Sequence, residues 1–176
     1  RRQRQMCIRD RCTFVQCFLF GVFFHFHDAL PKGEQYVKTE IPGSISTKNM
    51  YTTVDKKEEL EALGGYLTQN HLTEKKVLLY GEIPAISYIF DMEPAVYTTW
   101  ADLRSNTLER LQADLDAITT DYPVVIVTDA IGQELSGDTS YVDEKLDAIA
   151  QFLSRGNYQC GYAQKGYCLL YTSPSP

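Results

Sequence analysis

Three acidic residues, Glu82, Asp102 and Asp129, lie just after strand-like apolar runs. Carboxylates that meet at one edge of a sheet can act as a general acid and base, or can bind a divalent cation. In an acidic chain, carboxylates at such positions are more often solvated or cap helices. The sequence therefore assigns no catalytic residue and no metal ligand, and it leaves these three as candidates for ligand binding.

The full set of candidate ligand-binding residues lies in the loops that follow the predicted strands, because ligands of open α/β sheets bind beyond the carboxyl ends of the strands. No cofactor is expected, since the segment after the first of these strands lacks the further glycines of a dinucleotide fingerprint and a phosphate-binding loop is absent. The set is Gly81, Glu82, Ile83, Pro84, Trp100, Asp102, Thr128 and Asp129.

Trp100 is the single tryptophan of the chain. Its ring is able to stack on a sugar face. Alternatively, it packs at a strand-to-helix junction while Asp102 or Ser105 caps the next helix. Both interpretations stay open.

Nucleophilic and thiol chemistry has little support in the sequence. None of the three histidines stands beside a serine or cysteine in a known nucleophile motif, and no GxSxG occurs. Among the five cysteines there is no CxxC pair. The sequence thus indicates no hydrolase triad, no disulfide framework and no zinc site.

The elements that would position these residues alternate between strands and helices. Apolar runs predict strands at 76–80, 95–99 and 123–127, and a hairpin at 158–162 whose second arm is cut short after Gly166. Helical spacing predicts a helix that contains Leu60, Leu63 and Leu67 after a Thr52 capping box, with further helices at 84–90, 105–118 and 141–153; residues 132–138 are predicted to be a polar loop.

Strands joined through helices imply right-handed crossovers and a sheet covered on both faces. We therefore expect an α/β fold, a three-layer sandwich with a mostly parallel sheet of about four or five strands and an antiparallel edge hairpin.

Both ends of the chain resemble translated sequencing adapter. Met6 to Asp10 and Leu169 to Thr172 can be encoded by one short DNA read on opposite strands. Residues 1–11 and 168–176 are accordingly interpreted as scars and are set aside. Without them, 12 basic residues face 22 acidic ones, for a formal charge of −10 against −6 for the whole chain. Such an acidic balance argues against a nucleic-acid partner.

The remaining sequence is predicted to divide at Asp28. Residues 14–26 are densely apolar and aromatic but fall short of the ~20 residues that cross a bilayer. We interpret residues 12–28 as a truncated transmembrane helix, the alternative being a buried strand or core helix. Few basic residues follow it, so residues 29–167 are expected to form an extracytoplasmic domain of a cell-membrane protein.

Several segments resemble a known family: Gly43 to Ile45, Met50 to Thr53, Val77 to Tyr88 and Thr99 to Ser105. Together with the apolar exit, they resemble the carboxyl-terminal extracytoplasmic domain of bacterial multispanning GT-C glycosyltransferases of the protein O-mannosyltransferase and arabinosyltransferase-like group. The resemblance implies a lipid-linked sugar donor and catalytic acids in an early loop outside this chain, so no catalytic residue is transferred to it.

These observations predict an accessory domain that binds a glycan or an acceptor without chemistry of its own. Two alternatives remain. One is a small soluble α/β enzyme that uses Glu82, Asp102 and Asp129; the other is a membrane-tethered interaction domain, which would carry an exposed apolar patch.

Overall fold

The computed structural model of this chain describes residues 37–41, 44, 46–48, 50–137 and 143–172. The predicted truncated transmembrane helix at 12–28 and the adapter-like segment at 1–11 lie outside these residues. Among the described residues, no helix combines the length and the apolar character needed to cross a bilayer.

The domain is mixed α/β and has a four-stranded central sheet. Its strands are β3 (Val77–Tyr80), β4 (Val124–Thr128), β5 (Gln159–Gln164) and β6 (Tyr167–Tyr171), in the spatial order β3-β4-β6-β5. β3 and β4 are parallel, whereas β6 is antiparallel to both β4 and β5. The prediction of a mostly parallel sheet is therefore wrong, since one of three pairings is parallel.

The strand predicted at 95–99 does not form. Pro94, just before this segment, makes a single parallel bridge to Val77. The Tyr97 amide donates to the Asp114 side chain instead of to a neighbouring strand. An amide that is already bonded to a carboxylate cannot extend a ladder, so β3 keeps β4 as its only full partner among the described strands.

The predicted boundary at residue 167 is also not a structural boundary. β6 includes Cys168 to Tyr171 and lies between β4 and β5, and Leu169 is fully buried. The run Cys168 to Tyr171 is apolar and favourable for a strand, so it completes the hairpin whose second arm was expected to be cut short.

A small second sheet pairs β1 (Val37–Thr39) with β2 (Met50–Thr52) in antiparallel register, with Val37 opposite Thr52. The long helix α1 (Val54–Gln69) follows directly. Its N-cap is Thr53, whose Oγ1 accepts from the Lys56 amide at 3.4 Å, and not the predicted Thr52.

Within the described part of the chain, four further helices follow: α2 (Ala85–Ile89), α3 (Leu108–Ala117), α4 (Asp129–Ser136) and α5 (Glu144–Arg155). The start of α3 differs from the prediction, because Thr107 caps it and neither Asp102 nor Ser105 does. α4 occupies most of the segment that was predicted to be a polar loop.

Helices cover both faces of the sheet, as the continuous apolar runs of β3 and β4 require. Leu79 and Ile126 point to one face, where they pack with Leu63 and Leu67 of α1 and with α2. Leu78 and Val125 point to the other, where they pack with leucines of α3 and α5. Burial of each such leucine stabilises the fold by about 2 kcal/mol relative to exposure.

Candidate functional site

The candidate site lies at the carboxyl ends of β3 and β4, which meet at one edge because the two strands are parallel. Tyr80 pairs in register with Val127, so Gly81 comes beside Thr128. Gly81 has a φ of +109°, and a Cβ atom placed there would lie 2.8 Å from Ile131 Cδ1 and 3.0 Å from Thr128 Oγ1. The predicted residues Gly81 and Thr128 are thus in contact, and their closeness requires a glycine.

Glu82 and Asp102 are also in contact, but the contact joins the backbone of Glu82 to the side chain of Asp102. The Glu82 amide donates to Asp102 Oδ2 at 2.8 Å. Glu82 itself has a positive φ of 60°, which is unusual for a residue with a side chain. Asp102 therefore stabilises a tight turn at the end of β3.

Asp129 stabilises a different turn. Its Oδ2 accepts from the Gly166 amide at 2.9 Å, and its own amide donates to the Gly166 carbonyl at 3.1 Å. This reciprocal pair joins the start of α4 to the turn between β5 and β6. Glu82, Asp102 and Asp129 do not assemble into a metal site, and the part of the chain that is described contains no group of three or more metal-ligating side chains.

Ile83 and Pro84 connect the β3 turn to α2. Pro84 occupies the N-cap position without a side-chain bond, and its carbonyl accepts from Ser87 Oγ at 3.2 Å. Ile83 is partly buried against the core beneath α1 and α2. Both residues act here as packing and turn residues.

A buried tyrosine lies next to this edge and was not anticipated. The Tyr80 hydroxyl donates to Asp143 Oδ2, and Asp143 Oδ1 accepts from the Lys145 amide at 2.9 Å at the start of α5. Burial, followed by the bond to Asp143, raises the pKa of Tyr80 above its ordinary value, and the negative charges of Asp102 and Glu134 act in the same direction. The sequence carries no signal for a contact across 63 residues.

Trp100 belongs to a loop that we name the aromatic loop, residues 94–107. Trp100 is 38% exposed, Tyr97 is 73% exposed and Leu103 is 38% exposed. Val96 and Ala101 of the same loop are buried in the core. The loop thus packs on the core through its buried side chains and exposes large apolar side chains to solvent.

Tyr97 is a site residue that sequence reasoning missed. Arg110 of α3 places its guanidinium 4.1 Å from the centre of the Tyr97 ring, within the range of a cation–π contact. The spacing of aromatic residues in Tyr97-Thr-Thr-Trp100 was visible in the sequence. Tyr97 was predicted to lie in a strand at 95–99, and Trp100 in the loop after it.

A cysteine pair was missed as well. The sulfurs of Cys160 and Cys168 lie 3.5 Å apart across the β5–β6 hairpin. Cys168 is buried, and burial raises its pKa to about 12, whereas Cys160 is exposed. The pair lines a cavity of about 600 Å³ that is bounded by α4, α5 and the hairpin.

Comparison of this chain with protein-family models, with curated proteins and with solved structures gives no match. The residues of the site are therefore interpreted from their own geometry.

Proposed function

We propose that this α/β domain is an accessory, glycan- or acceptor-binding domain of a membrane glycosyltransferase-like protein, exposed on the extracytoplasmic side and without catalytic residues of its own. One observation carries the proposal. The candidate carboxylates of Asp102 and Asp129 hold backbone amides of turns, while Trp100 at the same strand-end region stays accessible to a ligand.

The role of the carboxylates argues for binding over catalysis. A general acid or base must exchange protons with a substrate within hydrogen-bonding reach. Asp102 and Asp129 each use one oxygen for a loop amide, at 2.8 and 2.9 Å, and their removal would release the turns after β3 and β5. Their main contribution is to shape the surface that carries Trp100.

Aromatic rings suit the binding of sugars because a pyranose ring has a flat apolar face and a polar edge. An exposed tryptophan offers a large surface for that face, and nearby polar groups can bind the hydroxyls at the edge. The link to a membrane parent depends on the apolar segment 12–28 and on the family resemblance, in which the lipid-linked sugar would be handled by the catalytic part of the parent.

The proposal is tested by measuring both binding and turnover with this chain. Isothermal calorimetry against a panel of soluble oligosaccharides is expected to find a ligand. Incubation of the same panel with the chain is expected to leave every oligosaccharide unchanged by mass spectrometry. Turnover that Asp102→Asn and Asp129→Asn abolish would instead favour the small α/β enzyme, and the absence of any binding would remove the proposed role.

A further inference from the structure

The aromatic loop is held rigidly, so the exposure of its rings is not a result of loose packing. Three of its backbone groups bond to side chains from other parts of the fold or from its own end. The Tyr97 amide donates to Asp114 at 2.9 Å, the Leu103 carbonyl accepts from Lys145 Nζ at 2.8 Å, and the Ala101 carbonyl accepts from the buried Asn106 at 2.9 Å.

Asp102, between Ala101 and Leu103, adds a fourth anchor by accepting from the Glu82 amide. A loop fixed at four points loses little conformational entropy when a ligand binds, which favours affinity. Large apolar side chains that stay in water do not contribute the stabilisation that their burial would give. Several of them exposed in one loop are therefore typical of a binding surface.

The Tyr97 ring is prepared for stacking on one side. A planar guanidinium covers a single face of a ring, and Arg110 lies 4.1 Å from the ring centre. The side chain is nevertheless 73% exposed, so its other face is accessible. Trp100 follows three residues later with 38% of its surface exposed. Two accessible rings in one anchored loop can contact more than one sugar unit.

The charges around the loop argue against an anionic ligand. The loop and α3 carry four acidic residues, namely Asp102, Glu109, Asp114 and Asp116, against two basic ones, namely Arg104 and Arg110. The chain as a whole carries −6. A net negative surface on an acidic body gives no attraction for a uronic acid, a phosphorylated glycan or an anionic lipid surface.

We propose that the aromatic loop is the glycan-contacting surface of this chain and that its ligand is a neutral oligosaccharide, whose ring faces stack on Tyr97 and Trp100. This inference rests on the proposed function and adds the site and the chemical class of the ligand.

The single tryptophan makes the test specific, because all tryptophan fluorescence of the chain comes from this loop. The neutral probes are mannotetraose and arabinotetraose; the anionic probe is an oligogalacturonate. A neutral probe is expected to change the emission of Trp100 in a saturable way and to give a matching affinity by calorimetry, whereas the oligogalacturonate is expected to bind at least tenfold more weakly.

Two substitutions then locate the surface. By calorimetry, Trp100→Ala and Tyr97→Ala are each expected to weaken binding roughly tenfold or more, as loss of a stacking platform does. Tyr97→Phe keeps the ring and is expected to retain most of the affinity. Tyr88→Ala is the matched control: Tyr88 is 69% exposed on α2, outside the loop, and its loss is expected to leave affinity unchanged.

The outcomes separate this inference from the proposed function. If an oligosaccharide binds but Trp100→Ala and Tyr97→Ala retain full affinity, the loop is not the site while the accessory role stands. Tighter binding of the oligogalacturonate would overturn the neutral class. If the loop responds to phosphatidylglycerol vesicles and to no oligosaccharide, it is a membrane-contacting surface and the inference fails. If nothing binds, both proposals fail. Circular dichroism of each variant confirms that the fold is retained.

Discussion

The backbone amide of Glu82 donates a 2.8 Å hydrogen bond to Oδ2 of Asp102, and this contact joins the turn after β3 to the aromatic loop. The turn needs such a partner because Gly81 and Glu82 both have positive φ angles. A carboxylate that accepts from a backbone amide makes a stronger bond than a neutral acceptor does. Asp102, two residues after Trp100, therefore serves to position the turn after β3.

Substitution of Asp102 should test that role through stability. Asp102→Ala removes the acceptor and is expected to lower the free energy of unfolding by about 1–2 kcal/mol. Asp102→Asn keeps an acceptor oxygen and should recover part of the loss. Urea titration followed by circular dichroism measures both. Equal stability of the alanine variant and the original chain would show that the contact does not hold the turn.

Two glycines provide a matched pair for the backbone argument. Gly81→Ala is expected to cost about 1–3 kcal/mol, since φ is +109° and the new Cβ would lie 2.8 Å from Ile131. Gly65→Ala should instead stabilise the chain by roughly 0.8 kcal/mol, because Gly65 lies inside α1 with open space around it. Thermal and urea unfolding report both effects, and the same sign for the two variants would contradict the geometry.

The sulfurs of Cys160 and Cys168 are expected to form a disulfide with a mild oxidant. They lie 3.5 Å apart, so closure to a bond requires an approach of about 1.5 Å. Oxidised glutathione would react first at the exposed Cys160, and the Cys168 thiol would then displace glutathione from the mixed disulfide. Peptide mapping by mass spectrometry should find a Cys160–Cys168 link and the loss of two hydrogens.

Cys160→Ser serves as the control for that experiment and should leave Cys168 without glutathione, because Cys168 is buried and the oxidant does not reach its thiol. Preferential pairing of Cys160 with Cys7, Cys12 or Cys17 would contradict the arrangement of the hairpin.

Buried tyrosines should make the domain sensitive to alkali. Burial raises the pKa of Tyr66 to about 12, with the bond to Tyr171 adding to it, and burial also raises the pKa of Tyr80 and Tyr158. Because the folded state holds these protons more tightly than the unfolded chain does, the stability is present below about pH 10 and is lost as the pH rises through the raised pKa values.

Tyr158→Phe tests this dependence. The Tyr158 hydroxyl donates to the Pro123 carbonyl at 2.7 Å, so the variant should be less stable at neutral pH. It should nevertheless lose stability less steeply above about pH 10, because one ionisable group is gone. Urea titrations across this pH range measure the slope, and an unchanged slope would show that Tyr158 does not contribute.

Local patterns predicted the parts of the fold that depend on neighbouring residues. The apolar runs before Gly81 and Thr128 identified β3 and β4, and the leucine spacing identified α1 and the inner faces of α3 and α5. Tyr97 was assigned to a strand at 95–99 because it lies in an apolar, β-favouring run, and Trp100 to the loop that follows it. The strand prediction failed because the segment is anchored by Asp114 and Lys145, which are distant in the sequence.

The sequence by itself determined an acidic α/β domain with strands of continuous apolar character. Tertiary structure decided that β6 lies inside the sheet, that Asp102 and Asp129 accept from loop amides, and that Cys160 meets Cys168. The physical reason is one of range. Apolar periodicity depends on residues that are close together in the sequence. A hydrogen bond between distant residues forms only after packing has brought them within about 3 Å.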